Sequence, residues 1–342
     1  MRSGVPGGAS NVFVRGISSF GDSQPLVLVD GVESNLDDIS ANDIESMQVL
    51  KDAGAAAIYG VRGSNGVIIV TTKKGKSKSP GVTYDSYYGV QLPLQGNVFD
   101  LMNSEDFARL SKVANPNTAL FQNGLPDFLY RGPGGSGVGV AGDPAVDPVK
   151  YNLDPLNSSN NYLIQQVNKT GTDWFHEVFE AAPIQNHNLT VSGGTNKSNY
   201  LVSLGYLDQQ GTLMETYLKR YSVRVNTSYN VKKNIRIGQN AYFFYKQNKD
   251  LSAGNPISWT YREMPIIPVY DIRGNYGGTF AGPELGASSN AVAVQQNTRN
   301  NKFNSWDVVG NVFAEVDFLK HFTARTSFGG TIENTYNTNF IY

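Results

Sequence analysis

Chemistry needs histidines, paired carboxylates, thiols or phosphate-cradling glycines at workable spacing, and this chain holds only fragments of those patterns. Its three histidines, His176, His187 and His321, lie far apart, and no H-x-x-x-H pair or carboxylate cluster joins them. They read as surface or interfacial imidazoles rather than metal ligands. Gly137, Gly139 and Gly142 spell G-x-G-x-x-G, but no hydrophobic strand precedes them and Asp143-Pro144 follows where a helix should open. That predicts a flexible loop, not a phosphate cradle. Asp37-Asp38 and Glu45 are neighbouring acids of the kind used in acid–base catalysis, yet caps and turns use such residues more simply. No catalytic residue, metal ligand or cofactor is assigned.

Composition narrows the classes further. With 28 Lys and Arg against 29 Asp and Glu the formal charge is -1, so nothing suggests a polyanion-binding surface, and nucleic acid is not an expected partner. Cysteine is absent, which excludes disulfides and thiolate metal sites and fits any compartment. Mean hydropathy is -0.32, and no apolar run approaches the ~18 residues of a spanning helix. A β-barrel gives no such run, because its strands are apolar only at alternate positions. The 36 Gly, 19 Tyr and 17 Phe suit turn-rich β structure with aromatic girdles, a bias that a soluble β-sandwich shares. The opening MRSGVPGGAS lacks the apolar core of a signal peptide, so either export is absent or the start lies upstream.

The elements that must position any function begin at residues 25–74. Leu26–Val29 is a short apolar run ending in Asp30-Gly31, a turn dipeptide that accepts positive φ. Residues 43–50 alternate, with Ile44, Met47 and Val49 among polar neighbours, and predict a strand. The small residues 53–59 predict a short helix. After the turn signal Asn65-Gly66, residues 67–70 are β-branched throughout and predict a strand covered on both faces. The unit is compact and mixed α/β.

Farther on, the pattern changes to period two. Tyr221, Val223, Val225, Thr227 and Tyr229 alternate with Ser222, Arg224, Asn226, Ser228 and Asn230. The same split runs from Trp306 to Phe318 against Asp307, Asn311, Glu315 and Asp317, with Val309 and Phe313 as exceptions. Residues 200–206 and 322–333 repeat it, and 82–90, 187–193 and 235–245 do so more weakly. Together they predict seven strands of about the 9–11 residues a tilted strand needs to cross a bilayer, lipid outside and water within. Short connections at 194–197, 231–233 and Lys320 alternate with long ones at 92–186, 208–219 and 247–304. Outer-membrane barrels pair tight periplasmic turns with long outer loops in this way. Trp174, Phe175 and Phe179 follow a Thr172 or Asp173 cap at near-helical spacing, fit to stack on a sugar or to pack against the barrel rim; rim packing is the reading adopted here.

Four motifs over about fifty residues resemble the plug of TonB-dependent outer-membrane transporters, most closely the SusC/RagA branch. R-G-I-S-S-F-G opens with Arg15 and Gly16, and P-L-x-x-V-D-G-V carries Asp30 and Gly31. D-I-E-S-x-x-V-L-K-D supplies Asp43, Glu45, Lys51 and Asp52. A-A-I-Y-G-x-R-G-x-N-G-V supplies Tyr59, Gly60, Arg62, Gly63, Asn65 and Gly66. Residues 172–203 also resemble the early barrel of that branch. The resemblance implies a mixed α/β plug over 1–76, followed over 77–342 by an all-β transmembrane antiparallel barrel, incomplete at about seven strands. Such barrels have an even number of strands, about 22 in these transporters, so the chain reads as part of a longer protein whose start precedes Met1. The implied function is active import of oligosaccharides or peptides across the outer membrane of a Bacteroidetes-type bacterium, gated by the plug. The implied partners are a SusD-like surface lipoprotein, outer-membrane lipid and the TonB-ExbB-ExbD complex, whose contact segment lies before this chain. The alternatives are a siderophore or cobalamin receptor and a soluble carbohydrate-binding β-protein. Arg15 and Arg62, each beside a glycine, are expected to pair with acids of the barrel lumen such as Glu315 or Asp317 and so hold the plug.

Overall fold

The computed structural model describes residues 6–7, 12–14, 23–76, 80–118, 120–249, 256–319 and 321–340. Arg15 and Gly16 lie outside the described residues. The first unit is a four-stranded mixed sheet. β1 (Leu26–Val29) turns through Asp30 and Gly31, at φ 50° and 90°, into β2 (Val32–Glu33). β3 (Ile44–Leu50) leads to α1 (Ala53–Ala56), and β4 (Val67–Thr72) closes the unit in the order β2-β1-β4-β3. β4 pairs parallel with β1 and antiparallel with β3. As the central strand it buries Val67, Ile68 and Val70, which is why its sequence is apolar without alternation. The predicted helix is shorter than expected, because the chain passes into 3-10 turns at Ala57 and Gly60 breaks them at φ 60°, ψ -147°.

The second unit is one sheet of seven antiparallel strands. β5 (Gly81–Gln91) is followed by a long connection carrying α2 (Ser104–Ala114), β6 (Phe128–Gly132), β7 (Gly135–Gly139), β8 (Leu163–Gln166) and α3 (Trp174–Val178). Next come β9 (Ala182–Gly194), β10 (Ser198–Gln210), β11 (Tyr217–Lys232) and β12 (Ile235–Lys249). A second long connection holds α4 (Pro256–Arg262) and α5 (Ala291–Asn297), before β13 (Lys302–Phe318) and β14 (Phe322–Thr338). The order β14-β13-β12-β11-β10-β9-β5 leaves β5 and β14 as edges, so these strands form part of a barrel wall and do not close one.

All seven expected strands are present, and they run from 11 to 17 residues, most of them beyond the span of a bilayer. That extra length corrects one expectation. Asp208, Gln209 and Gln210 continue the ladder against Lys219, Leu218 and Tyr217, so the connection at 208–219 shrinks to residues 211–216, closed by Gly211 N–H donating to Thr216 O at 2.8 Å. Polar side chains do not end a strand that has left the apolar layer. The G-x-G-x-x-G segment is also not a loose loop. Gly137 and Gly139 lie in β7, hairpin-paired to β6, because the bare Cα positions let the Tyr130 ring and Val146 lie against the strand.

On the outer face, ladder pairing aligns His187, Tyr206, Tyr221, Tyr245 and Trp306 into one aromatic row across five strands. His187 is thus interfacial, its ring 6.1 Å from that of Tyr206. Tyr229 and the stacked pair Phe318 and Phe322, 5.8 Å apart, mark the opposite border. Between them the outward positions carry Leu204, Val202, Val223, Val225, Phe243, Val308, Val312 and Val316 and no charge. Apolar belts flanked by aromatic rows are what a sheet facing lipid requires.

The two long connections fold over the same end of the sheet and share one core. Phe107, Phe121, Leu129 and Trp174 come from the first, Ile266, Ile267, Leu285 and Val292 from the second, and Leu213 from the short 211–216 connection. Trp174 is 1% exposed and donates its indole N–H to Met264 O at 3.2 Å, so it stacks on no ligand. Phe175 and Phe179 stack at 4.4 Å, and Met214 N–H bonds Val178 O at 2.8 Å, which packs this helix against the rim as expected. Glu263 is the polar exception. Its side chain is buried with the Ser288 hydroxyl beside it, and burial pushes its carboxyl up to about 7.

Two outcomes follow for this cap. Trp174→Ala should cost about 3–5 kcal/mol of local stability and open residues 92–181 to protease while the barrel strands stay resistant. The folded cap holds the Glu263 proton more tightly than the unfolded chain, so its stability is greatest below the unfolded value of 4.5 and declines as pH rises through about 7. Hydrogen exchange of residues 256–267, corrected for intrinsic rates, should therefore be slower at pH 5 than at pH 8, and Glu263→Gln should remove most of that difference.

Candidate functional site where the plug meets the barrel wall

The inward face of the wall is polar by the same alternation that makes the outward face apolar. On β11, Ser222, Arg224 and Asn226 are buried while Tyr221 and Val223 are exposed. What covers them is the first unit. Asp43, at the end of a 3-10 turn before β3, accepts from Arg224 Nε at 3.1 Å, and the two side chains are 4% and 2% exposed. The Tyr242 ring lies 4.2 Å below the guanidinium. Ser203 Oγ on β10 donates to the other Asp43 oxygen at 2.9 Å. Arg224 Nη2 is left without a hydrogen-bond partner, so the pair is enclosed but not fully satisfied.

Other contacts run along both ends of this one. Towards the loops, Lys246 Nζ reaches Asp38 Oδ1 at 2.9 Å and Tyr242 OH donates to Asp38 O at 2.7 Å. Arg220 Nη1 donates to Asp37 O at 2.9 Å; on the ladder row of Asn226 and Asn240, Asn311 Nδ2 donates to Asp30 O at 2.6 Å. Towards the turns, Asn226 Nδ2 donates to Thr72 Oγ1 at 3.0 Å and Lys73 O at 2.8 Å. Asp30 itself ties β1 to β4 by accepting from Thr72 N–H at 3.1 Å and Thr72 Oγ1 at 2.5 Å. Just past β4, Gly75 lies against β10 so closely that a Cβ there would stand 2.1 Å from Tyr200 O. The exit of the unit is thus pressed onto the wall, and only glycine fits.

The expected arginine lock is different in the structure. Arg62 pairs with Glu33 inside the plug, Glu315 is held by Arg236 at 2.8 Å and Arg325 at 2.9 Å, and Asp317 accepts from Thr323 Oγ1 at 2.6 Å. The reason is position: Arg62 faces the loop end, whereas Glu315 and Asp317 sit near the turns. Of the motif residues, Asp30 and Asp43 make wall or inter-strand contacts, and Gly31, Gly60 and Gly66 hold positive φ. Gly63 is buried, Tyr59 and Asn65 are half-buried, and Glu45, Lys51 and Asp52 are exposed on or beside β3. Asp37 and Asp38 form a 3-10 turn and both contact the wall, a role the sequence did not reveal. Arg224 on the charged inner face of a strand was the available signal for a partner of opposite charge.

Above these contacts, at the loop end, an open cavity of about 1010 Å³ lies between plug and wall. Arg220, Lys246, Arg62, Glu33, Asp37 and Glu333 line it. It carries both signs of charge and suits polar ligands with many hydrogen-bonding groups.

The interface makes a definite stability prediction. Arg224→Met strands a buried Asp43 carboxylate and should cost about 3–5 kcal/mol, read as faster hydrogen exchange in β3 and β4. Pairing it with Asp43→Asn should recover most of that loss, since no uncompensated charge remains.

Comparison with known proteins places this geometry. Residues 1–67 match the family model described as the TonB-dependent Receptor Plug Domain. TonB-dependent receptor P3 of Formosa agariphila is 29% identical over 345 residues, covering 97% of this chain and 29% of that protein. TonB-dependent receptor SusC of Bacteroides thetaiotaomicron is 28% identical over 363 residues, covering 97% and 31%. The chain therefore spans under a third of these relatives. Among solved structures, the RagAB peptide importer in its closed-closed state superposes with a TM-score of 0.68 at 24% identity, over 93% of this chain and 35% of that one. Plug model, relatives and fold agree in what this chain is similar to: the SusC/RagA-like TonB-dependent receptors.

Proposed function

We propose that this chain forms the gate and adjoining wall of an outer-membrane importer for large polar nutrients, oligosaccharides or peptides, with residues 1–76 as the plug and 77–342 as barrel. One observation carries the reading: the plug is held to the wall by hydrogen bonds and ion pairs rather than by an apolar core. An apolar seam would cost tens of calories per Å² to open to water, whereas polar groups exchange partners with water at little net cost. Such a plug can be displaced by force and can return. In this reading the TonB-ExbB-ExbD complex supplies that force, a SusD-like lipoprotein captures substrate at the loop end, and no covalent bond is made or broken. The similarity to SusC, and to a structure described as a peptide importer, supports the substrate class. The apolar belt between aromatic rows supports placement in the outer membrane, with the loops outward.

The test is a cross-link between gate and wall in the full receptor. The chain has no cysteine, so Asp43→Cys with Ser203→Cys introduces the sole thiol pair into this part. Uptake of labelled maltooligosaccharides or peptides should stop when the pair is oxidised and resume on reduction, while surface binding persists. Uptake that continues at the same rate through the oxidised protein would sink the gating role. Uptake of neither substrate by the wild-type receptor would sink the substrate class.

A further inference from the structure

The outside of a barrel wall is convex, so a deep groove on it needs a local cause. One of about 750 Å³ crosses β10 to β14 on the half nearest the turns. Thr227, Gln239 and Ala314, outward on three neighbouring strands, make a low floor. Tyr229 stands on one side, beside the Tyr200 ring that lies over Gly193, and Phe328, 83% exposed, on the other. Gln239 Nε2 donates to Thr227 Oγ1 at 3.3 Å, which pairs two of the floor's polar groups with each other.

At the mouth of this groove the rim carries mostly positive charge, and the exposed Asp317, its N–H donating to Asn234 O at 2.9 Å, also borders it. Lys197 sits in the turn between β9 and β10, and β11 ends on Lys232 followed by Lys233; all three are exposed. Asn230 N–H donates to Lys197 O at 2.7 Å and Asn230 Nδ2 to Asn196 O at 3.2 Å. These bonds pin the Lys197 turn beside the strand that carries Tyr229. Among the described residues of the three short turns there is no Asp or Glu.

We propose that the groove seats an acyl chain of an anionic phospholipid from the leaflet at the turn end, with its phosphate held by Lys197, Lys232 and Lys233. The inference rests on the reading of this sheet as a membrane wall. An apolar slot continuous with the lipid-facing belt, opening onto exposed ammonium groups, matches a lipid along its whole length, tail and head group together. A second copy of the chain fits less well. Docked about a two-fold axis on the same groove, it would set one lysine rim beside the other.

The test uses the full receptor, extracted from outer membranes in mild detergent, delipidated, and titrated with phosphatidylglycerol or phosphatidylethanolamine under native mass spectrometry. The wild type should retain one phosphatidylglycerol per chain. Ala314→Trp, which fills the floor with a residue tolerated in lipid, should abolish retention of either lipid. Replacing the three lysines by glutamate should weaken phosphatidylglycerol by about tenfold or more and leave phosphatidylethanolamine unchanged. Equal retention by Ala314→Trp, or a doubled protein mass in place of lipid, overturns the proposal. A receptor present in the outer-membrane fraction that keeps no phospholipid overturns this inference alone. A receptor absent from that fraction overturns the membrane reading beneath it.

Discussion

A strand that separates lipid from water has no choice about its two faces, and the rest of this molecule is arranged around that constraint. The outward positions of β11 to β13 are mostly apolar and aromatic and uncharged across the belt, and the inward ones carry Arg224, Asn226, Asn240, Asp307 and Asn311, all buried. A polar wall that is itself covered must find polar partners, because each unpaired buried group costs about 1–3 kcal/mol. The plug supplies them through main-chain carbonyls and short acids. Its own core, around Val29, Ile39, Ile68 and Val70, is small and closed on itself, and its seam with the wall is made of other material.

The Arg224–Asp43 pair shows what such a seam can and cannot do. Moving two charges out of water is expensive, and mutual attraction at 3.1 Å roughly offsets that cost when hydrogen bonding is complete. Here it is incomplete, since Arg224 Nη2 has no partner. The pair therefore adds little net stability to the docked plug but strongly penalises any docking that would leave either charge alone. Position is fixed while the depth of the well stays modest. That combination suits a gate better than a hydrophobic seam, which would be both deep and indifferent to register.

Much of this was legible in the sequence because period two is a geometric property of a strand and survives in any fold. All seven strands, the turn at Asp30-Gly31 and the sandwiched run at residues 67–70 follow from local pattern alone. The exceptions in β13 also mean something: Val309 and Phe313 point inward and are buried, where Val309 borders plug residues and Phe313 lies under Arg325 at 4.3 Å and Lys74 at 5.9 Å. What local pattern did not reveal was pairing at long range. Arg62 was matched with Glu315 on charge alone, and nothing local says that the two stand at opposite ends of the wall. Asp38 reads locally as a cap or turn residue and Asp43 as a motif residue, and only the three-dimensional arrangement sets them against Lys246 and Arg224. The 208–219 connection differs from its local pattern for a related reason. Polar residues there continue a ladder whose hydrogen bonds do not depend on which side chains they carry.

The contacts that hold the plug also differ along its length. At the loop end the ion pair is partly open, with Lys246 and Asp38 side chains 25% and 10% exposed, beside a cavity lined by charges of both signs. At the turn end the contacts are neutral and enclosed: Asn226 on Thr72 and Lys73, and the Gly75 backbone against Tyr200. Salt and polar ligands screen or replace exposed ion pairs, but they do not reach amide bonds sealed between a sheet and a strand. A polar ligand in the loop-end cavity would compete for Arg220, Lys246 and the acids facing them, while the exit strand of the plug would keep its seat. The buried Arg224–Asp43 pair lies between these two ends of the seam.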